Sequence, residues 1–198
     1  MSIVFLITIA DNIENKALHD IRRHEYMYCL SRFFSYNFLV YGVISESTSY
    51  APASFFPFTN ILYIPSTYDL GYHTKSQKEF ISLKKVINNI DLPDNTWIIK
   101  ASGRYMLTND IFVEYVKNAS EHTNAILKKV GDQMCTFLYA IRLSTFKKII
   151  EYEIPPFENI ERYFLNIIKT ILTDNEIQYV ECLGTFVNIN NEEQFAYY

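Results

Sequence analysis

Ile3-Val4-Phe5-Leu6-Ile7-Thr8-Ile9 is an almost unbroken β-branched and aromatic run. A run of this kind belongs to a strand covered on both faces, the environment of a parallel sheet. Residues 15–34 follow with helical periodicity: Ala17, Ile21, Tyr28 and Leu30 fall on one face, and Arg22, Arg23 and Glu25 on another. Residues 37–44 are a second buried strand, closed by Ser45-Glu46-Ser47. Strand, helix and strand in this order form the repeating unit of doubly wound folds. The expected class is therefore α/β, a Rossmann-like domain with a mostly parallel central sheet flanked by helices.

The rest of the chain continues the alternation. Pro52 and Pro57 forbid regular structure in the aromatic loop after the second strand. Ile61 to Ile64 is a short strand, and residues 76–90 form a helix with Phe80, Leu83, Val86, Ile87 and Ile90 on its apolar face. Thr96 to Lys100 is expected as a central strand, followed by a turn at Gly103 and a helix near 110–118. Strands are expected at 125–130, 134–140, 177–183 and 185–189. Helices are expected at 144–151, with Ser144 as N-cap, and at 159–173. No internal repeat or linker interrupts the 198 residues, so the expectation is one domain over 1–198. Two sub-regions are set apart within it, 1–120 and 121–198.

Charge and cysteines exclude several classes. With 18 basic and 22 acidic residues and no long basic block, no nucleic-acid partner is expected. Cys29, Cys135 and Cys182 are scattered and show no CxxC spacing, which argues against a disulfide framework or zinc site and fits a reducing, cytoplasmic setting. The four histidines have no metal-ligand spacing. The N-terminal run lacks a basic lead-in and reads as a strand rather than a signal peptide, and no apolar stretch reaches about 18 residues, so no membrane span is expected.

In open α/β sheets, ligands bind beyond the carboxyl ends of the strands. Three such ends carry polar groups: Thr8-Ile9-Ala10-Asp11, Ser45-Glu46-Ser47 and Lys100-Ala101-Ser102-Gly103-Arg104. In the third, two cations flank a glycine straight after a buried strand. Lys100 offers a point charge and Arg104 a planar fork matched to phosphate oxygens. Ser102 offers a hydroxyl and an N–H, and Gly103 offers close backbone approach and access to φ > 0. Spacing alone leaves two readings even: a diphosphate cradle, or a tight turn whose cations pair with carboxylates. Asp11 and Glu46 either accept hydrogen bonds from a base or ribose or cap their loops. Lys75 either reaches a phosphate or is solvated at a helix start. In the second half the carboxylates of note are Glu158, Glu161 and Asp132; the plainer readings of Glu161 and Asp132 are a helix-start carboxylate favoured by the dipole and a turn residue after Gly131.

Gly71 to Phe112 resembles a family of glycosyltransferases found in large DNA viruses and some bacteria. The resemblance rests on Lys75-Ser76-Gln77-Lys78-Glu79, on the acidic turn Leu92-Pro93-Asp94-Asn95, and above all on Ile98-Ile99-Lys100-Ala101-Ser102-Gly103-Arg104-Tyr105. Looser likeness extends to Arg22 or Arg23 with Tyr26, to Val43-Ile44-Ser45-Glu46, to Thr136-Phe137-Leu138-Tyr139-Ala140 and to Ile160-Glu161-Arg162-Tyr163-Phe164. It implies a GT-A-type fold with a nucleotide-sugar-binding half at 1–120 and an acceptor-side half at 121–198, a nucleotide-diphosphate sugar as donor, a carbohydrate or glycan acceptor whose hydroxyl has Glu161 as candidate general base with Glu158 and Asp132 as rivals, and the host cytoplasm as location for a viral chain. Many such enzymes hold Mn2+ or Mg2+ on an Asp-x-Asp motif. None occurs here, which leaves the metal open and makes Lys100 and Arg104 the candidates to neutralise the leaving diphosphate. The alternatives are a metal-dependent nucleotidyl or phosphoryl transferase and a non-catalytic nucleotide- or sugar-binding module.

Overall fold

A computed structural model of the chain describes residues 2–10, 16–45, 61–66, 75–153, 155, 159–189 and 194–197. The backbone begins with β1 (Ile3–Ala10), α1 (Lys16–Phe34), β2 (Leu39–Ser45), β3 (Ile61–Ser66) and α2 (Lys75–Asn89). It continues through β4 (Trp97–Ser102), β5 (Met106–Leu107), α3 (Ile111–Lys117), β6 (Ala125–Leu127), β7 (Lys129–Val130), β8 (Gln133–Met134) and β9 (Leu138–Arg142). It closes with α4 (Leu143–Ile149), α5 (Ile160–Ile171), β10 (Ile177–Tyr179), β11 (Thr185–Ile189) and β12 (Gln194–Tyr197).

Seven strands form the main sheet in the order β10-β6-β9-β4-β1-β2-β3. Strands β1, β2, β3 and β4 pair in parallel, as do β6 and β10, while β9 runs antiparallel to both its neighbours. The sheet is thus mostly parallel, as the unbroken apolar runs require. Side chains alternate across it. Val4, Leu6, Ile98, Tyr139 and Ile141 face a core that includes Phe80 and Val86 of α2, Phe146 of α4 and Phe164 and Ile168 of α5. Phe5, Ile7, Ile99 and Ala140 face the opposite core, with Tyr26, Leu30 and Phe33 of α1 and Phe112 and Val116 of α3. Helices therefore cover both faces.

Several boundaries differ from the sequence reading. The expected strand at 125–130 splits into β6 and the hairpin strand β7, and the one at 134–140 into β8 and β9, because Gly131 at φ 62° lets the chain turn back on itself between them. The expected strand 177–183 stops at Tyr179 in the main sheet, and β11 joins a separate antiparallel sheet with β5 and β12. Gly184, at φ 60°, makes the break between them. On α1 the buried stripe is Tyr26, Cys29, Leu30 and Phe33, whereas Tyr28, expected on the apolar face, is 67% exposed. Helix α4 starts at Leu143 with Arg142 as its N-cap residue, so Ser144 lies inside the first turn rather than capping it.

Candidate active site

The strand order fixes where a ligand crevice opens. From β1 the chain builds outward through β2 to β3, then crosses back to place β4 on the other side of β1. Connections on the two sides of β1 leave in opposite directions, and the gap beyond the carboxyl ends of β1 and β4 is the topological switch point of the sheet. Thr8 and Ser102 are register partners at that edge, and Ala10 is aligned with Ser45 of β2.

The turn after β4 is held from two sides. The Gly103 N–H donates to the Thr8 carbonyl at 2.9 Å, and the Ser102 N–H donates to the Phe137 carbonyl at 2.7 Å. The Tyr105 N–H closes the turn on the Ser102 carbonyl at 3.0 Å. Gly103 does not use the left-handed region expected of it. Its constraint is space: a Cβ there would stand 2.9 Å from Cδ1 of Tyr26 and 3.3 Å from Cγ1 of Ile9. Tyr26 reaches this point from the buried stripe of α1, so the glycine lets the helix close on the turn.

The two cations of the motif diverge. Lys100 lies in mid-strand beside Leu6 and Tyr139 and is 1% exposed. Its ammonium donates to Glu79 Oε1 of α2 at 2.5 Å and to the Thr136 carbonyl at 2.7 Å, and stands 5.7 Å from the centre of the Tyr139 ring. The sequence reading directed this ammonium at a phosphate; in the structure it faces a carboxylate and a carbonyl, the ion-paired alternative. Arg104 is half-buried and forms no ion pair or hydrogen bond with any described residue. Next to it, the Tyr105 ring stacks on Phe137 with centroids 4.1 Å apart and planes 7° from parallel.

No protein-family model matches the chain, and no curated protein matches its sequence. Solved structures do. A 4-diphosphocytidyl-2C-methyl-D-erythritol synthase superposes with a TM-score of 0.63 at 9% identity, over 96% of this chain and 93% of that one. Mouse xyloside xylosyltransferase 1 gives 0.55 at 7% identity, over 92% and 86%. A glycosyltransferase involved in the glycosylation of the major capsid of PBCV-1 gives 0.54 at 10% identity, over 91% and 80%. The chain has a GT-A-type fold. At these identities the likeness carries the fold and not the activity.

Within the GT-A fold, the second half of the chain adds its own groups to the same edge. Because β9 is antiparallel, the loop before it, Cys135 to Phe137, lies beside the carboxyl end of β4. Glu161 occupies the first turn of α5, partly buried, and its Oε1 accepts a long hydrogen bond from the Thr136 hydroxyl at 3.5 Å. Burial raises the pKa of the neighbouring Cys135 thiol, the Lys128 charge opposes the rise and Glu161 adds to it. Asp132 sits at the exposed tip between β7 and β8 and pairs with Arg162 Nε at 2.8 Å, which ties the hairpin to the start of α5. Lys75 opens α2, with its side chain outside the described residues; Asp11, Glu46 and Glu158 lie outside them altogether. The edge thus brings together Thr8, Ala10, Ser102, Gly103 and Arg104.

Sequence reasoning did not assign roles to Glu79, Thr136 and Phe137. A signal for Glu79 was present: Ile98 and Lys100 share one face of a fully buried strand, and a lysine in that position requires a carboxylate or carbonyl partner. Among the described residues no group of three or more His, Cys, Asp or Glu is arranged to hold a metal ion. No described helix is long and apolar enough to cross a membrane.

Proposed function

We propose that the chain is a glycosyltransferase, one of the viral and bacterial family its Lys-x-x-Gly-Arg-Tyr segment resembles. In this reading it moves a sugar from a nucleoside diphosphate to a carbohydrate hydroxyl. The observation that carries the reading is Arg104: a guanidinium without a described partner, on a clamped turn at the switch point of a GT-A fold. The acceptor oxygen attacks the anomeric carbon, the bond from that carbon to the diphosphate breaks, and its electron pair departs on the phosphate oxygen. Charge grows on the diphosphate as the bond breaks, and a cation already fixed there stabilises it without reorganisation. The planar fork of Arg104 suits two oxygens at once. Glu161 takes the acceptor proton in this scheme, from the helix start that shares an edge with the turn. In this scheme Thr8, Ala10, Ser102 and Gly103 border the donor, and Asp11, Glu46 and Lys75 are its further candidates from the sequence.

The test is a melting-temperature screen of nucleoside diphosphates and their sugars, with and without Mn2+, on wild type and two variants. Binding to the native state raises the melting temperature by mass action. Arg104→Ala is expected to weaken the best ligand by about ten- to a hundredfold, the worth of a charge-assisted hydrogen bond, and Arg104→Lys to recover only part of it. Glu161→Gln is expected to keep the donor shift and lose turnover by about a hundredfold or more. Release of nucleoside diphosphate from a sugar nucleotide supports the proposal. Release of inorganic pyrophosphate from a nucleoside triphosphate replaces it with nucleotidyl transfer. Unchanged ligand shifts in Arg104→Ala remove its basis.

A further inference from the structure

Lys100 is the only charged residue buried among the described residues. Stability does not account for it: replacing a buried ion pair by apolar residues of similar volume is commonly neutral or stabilising. What the pair supplies is a fixed geometry, so its attachments matter. Glu79 belongs to α2 and is held at one end. At the other end the ammonium grips the carbonyl of Thr136, in the loop that enters β9. The next residue, Phe137, touches the Arg104 turn twice: its carbonyl receives the Ser102 N–H at 2.7 Å and its ring lies flat on Tyr105. Arg104 is thus bracketed by two residues, Gly103 and Tyr105. Gly103 is tied to β1 through Thr8, and Tyr105 is tied to the loop that Lys100 holds.

We infer that Lys100 is a positioning residue: it pre-organises the Arg104 turn by fixing the Thr136–Phe137 segment against it, and does not itself touch a ligand. The inference rests on the reading of Arg104 as the ligand-facing cation only for its functional consequence. The mechanical link stands on the contacts alone. Lys100 donates to both Glu79 and Thr136, so the double variant Glu79→Met with Lys100→Met removes the link and leaves no charge buried without a partner. It is the informative variant where Lys100→Met alone fails to fold.

The first measurement is hydrogen exchange at the Ser102 and Tyr105 amides, referred to the amides that pair β1 with β2. In the double variant, exchange at Ser102 and Tyr105 is expected to accelerate by about tenfold or more relative to that ladder, as the loop that receives the Ser102 bond loses its anchor. Arg104→Ala is expected to leave the same ratio unchanged. Equal protection in the double variant and wild type overturns the inference, whether or not any nucleotide binds. The second measurement uses inorganic pyrophosphate as the probe over a range of salt concentrations. A positioning role predicts weaker binding in the double variant with the wild-type salt dependence, because the number of cations facing the anion is unchanged. Direct contact predicts a shallower salt dependence, which overturns the inference. Failure of pyrophosphate to bind wild type, with accelerated exchange in the variant, sinks the reading of Arg104 and leaves the positioning role standing.

Discussion

Gly103 shows how a single residue ties the motif to the fold. Its hydrogen atom is the only substituent that fits between the turn and the Tyr26 ring, since a Cβ would sit 2.9 Å from Cδ1. Gly103→Ala is therefore expected to destabilise the protein by about 1–3 kcal/mol, the usual cost of overpacking. A second change, Tyr26→Leu, is expected to return part of that loss in the Gly103→Ala background. Urea denaturation of the four proteins checks both expectations, and equal midpoints for wild type and Gly103→Ala would remove the steric argument. At this scale the sequence was informative about residue type and silent about direction. Lys100 and Arg104 read as a matched pair because they are close in sequence. A strand and a turn separate them in space: the pleat turns Lys100 into the core, and the turn leaves Arg104 at the crevice. Only the register of β4 against β1 and β9 decides between those fates.

Elements are held at their ends by local chemistry that the sequence displays more openly. After α5, Thr173 opens a short 3-10 turn in which Glu176 Oε2 accepts from both the Thr173 N–H at 3.0 Å and its hydroxyl at 2.8 Å, while Asn124 donates to Oε1 at 2.7 Å. The Thr173 N–H is the largest of the influences that hold this carboxyl below its ordinary value of 4.5, followed by the Thr173 hydroxyl and the Asn124 amide. A depressed carboxyl contributes stability above its unfolded value and loses it as pH falls through the folded one. Glu176→Gln is expected to cost about 1 kcal/mol near neutrality, as for other caps. That difference should shrink as pH falls below 4.5 and vanish once the wild-type carboxyl is protonated. A pH-independent difference would mean that the charge has no part in the cap. The spacing Thr173-x-x-Glu176 has the form of a capping box, though the sequence reading ran its helix through Thr173 and did not single it out. The start of α4 was not legible, because Leu143 enters the helix straight from β9 and its N–H is received by the carbonyl of Thr96, the residue before β4.

Across the whole molecule, the alternation of apolar runs and helical stripes was enough to predict the mostly parallel sheet and its two helical layers. It was not enough to predict the reversal of β9. Leu138 to Arg142 is as apolar as the parallel strands, and nothing in its composition records its direction. The core on the α2 side joins both halves of the chain through one ring. Phe164 of α5 meets Phe80 of α2 at 5.9 Å, Tyr139 of β9 at 5.5 Å and Phe146 of α4 at 6.4 Å. Phe164→Ala is expected to cost about 3–5 kcal/mol, the range for emptying a packed aromatic site. Loss of one cooperative transition, with β1 to β4 protected while 125–179 exchanges freely, would show that the two regions unfold separately.

The reversal of β9 has a consequence for change over evolutionary time. Leu127 leaves the sheet and Leu138 re-enters it on adjacent, antiparallel strands at the same edge. The segment between them departs and returns at nearly one point. Such an excursion can lengthen, shorten or be exchanged between relatives while every rung of the ladder stays in register. The hairpin at 129–134 is thereby free to diversify, while Thr136, Phe137 and the strands that carry it stay as they are.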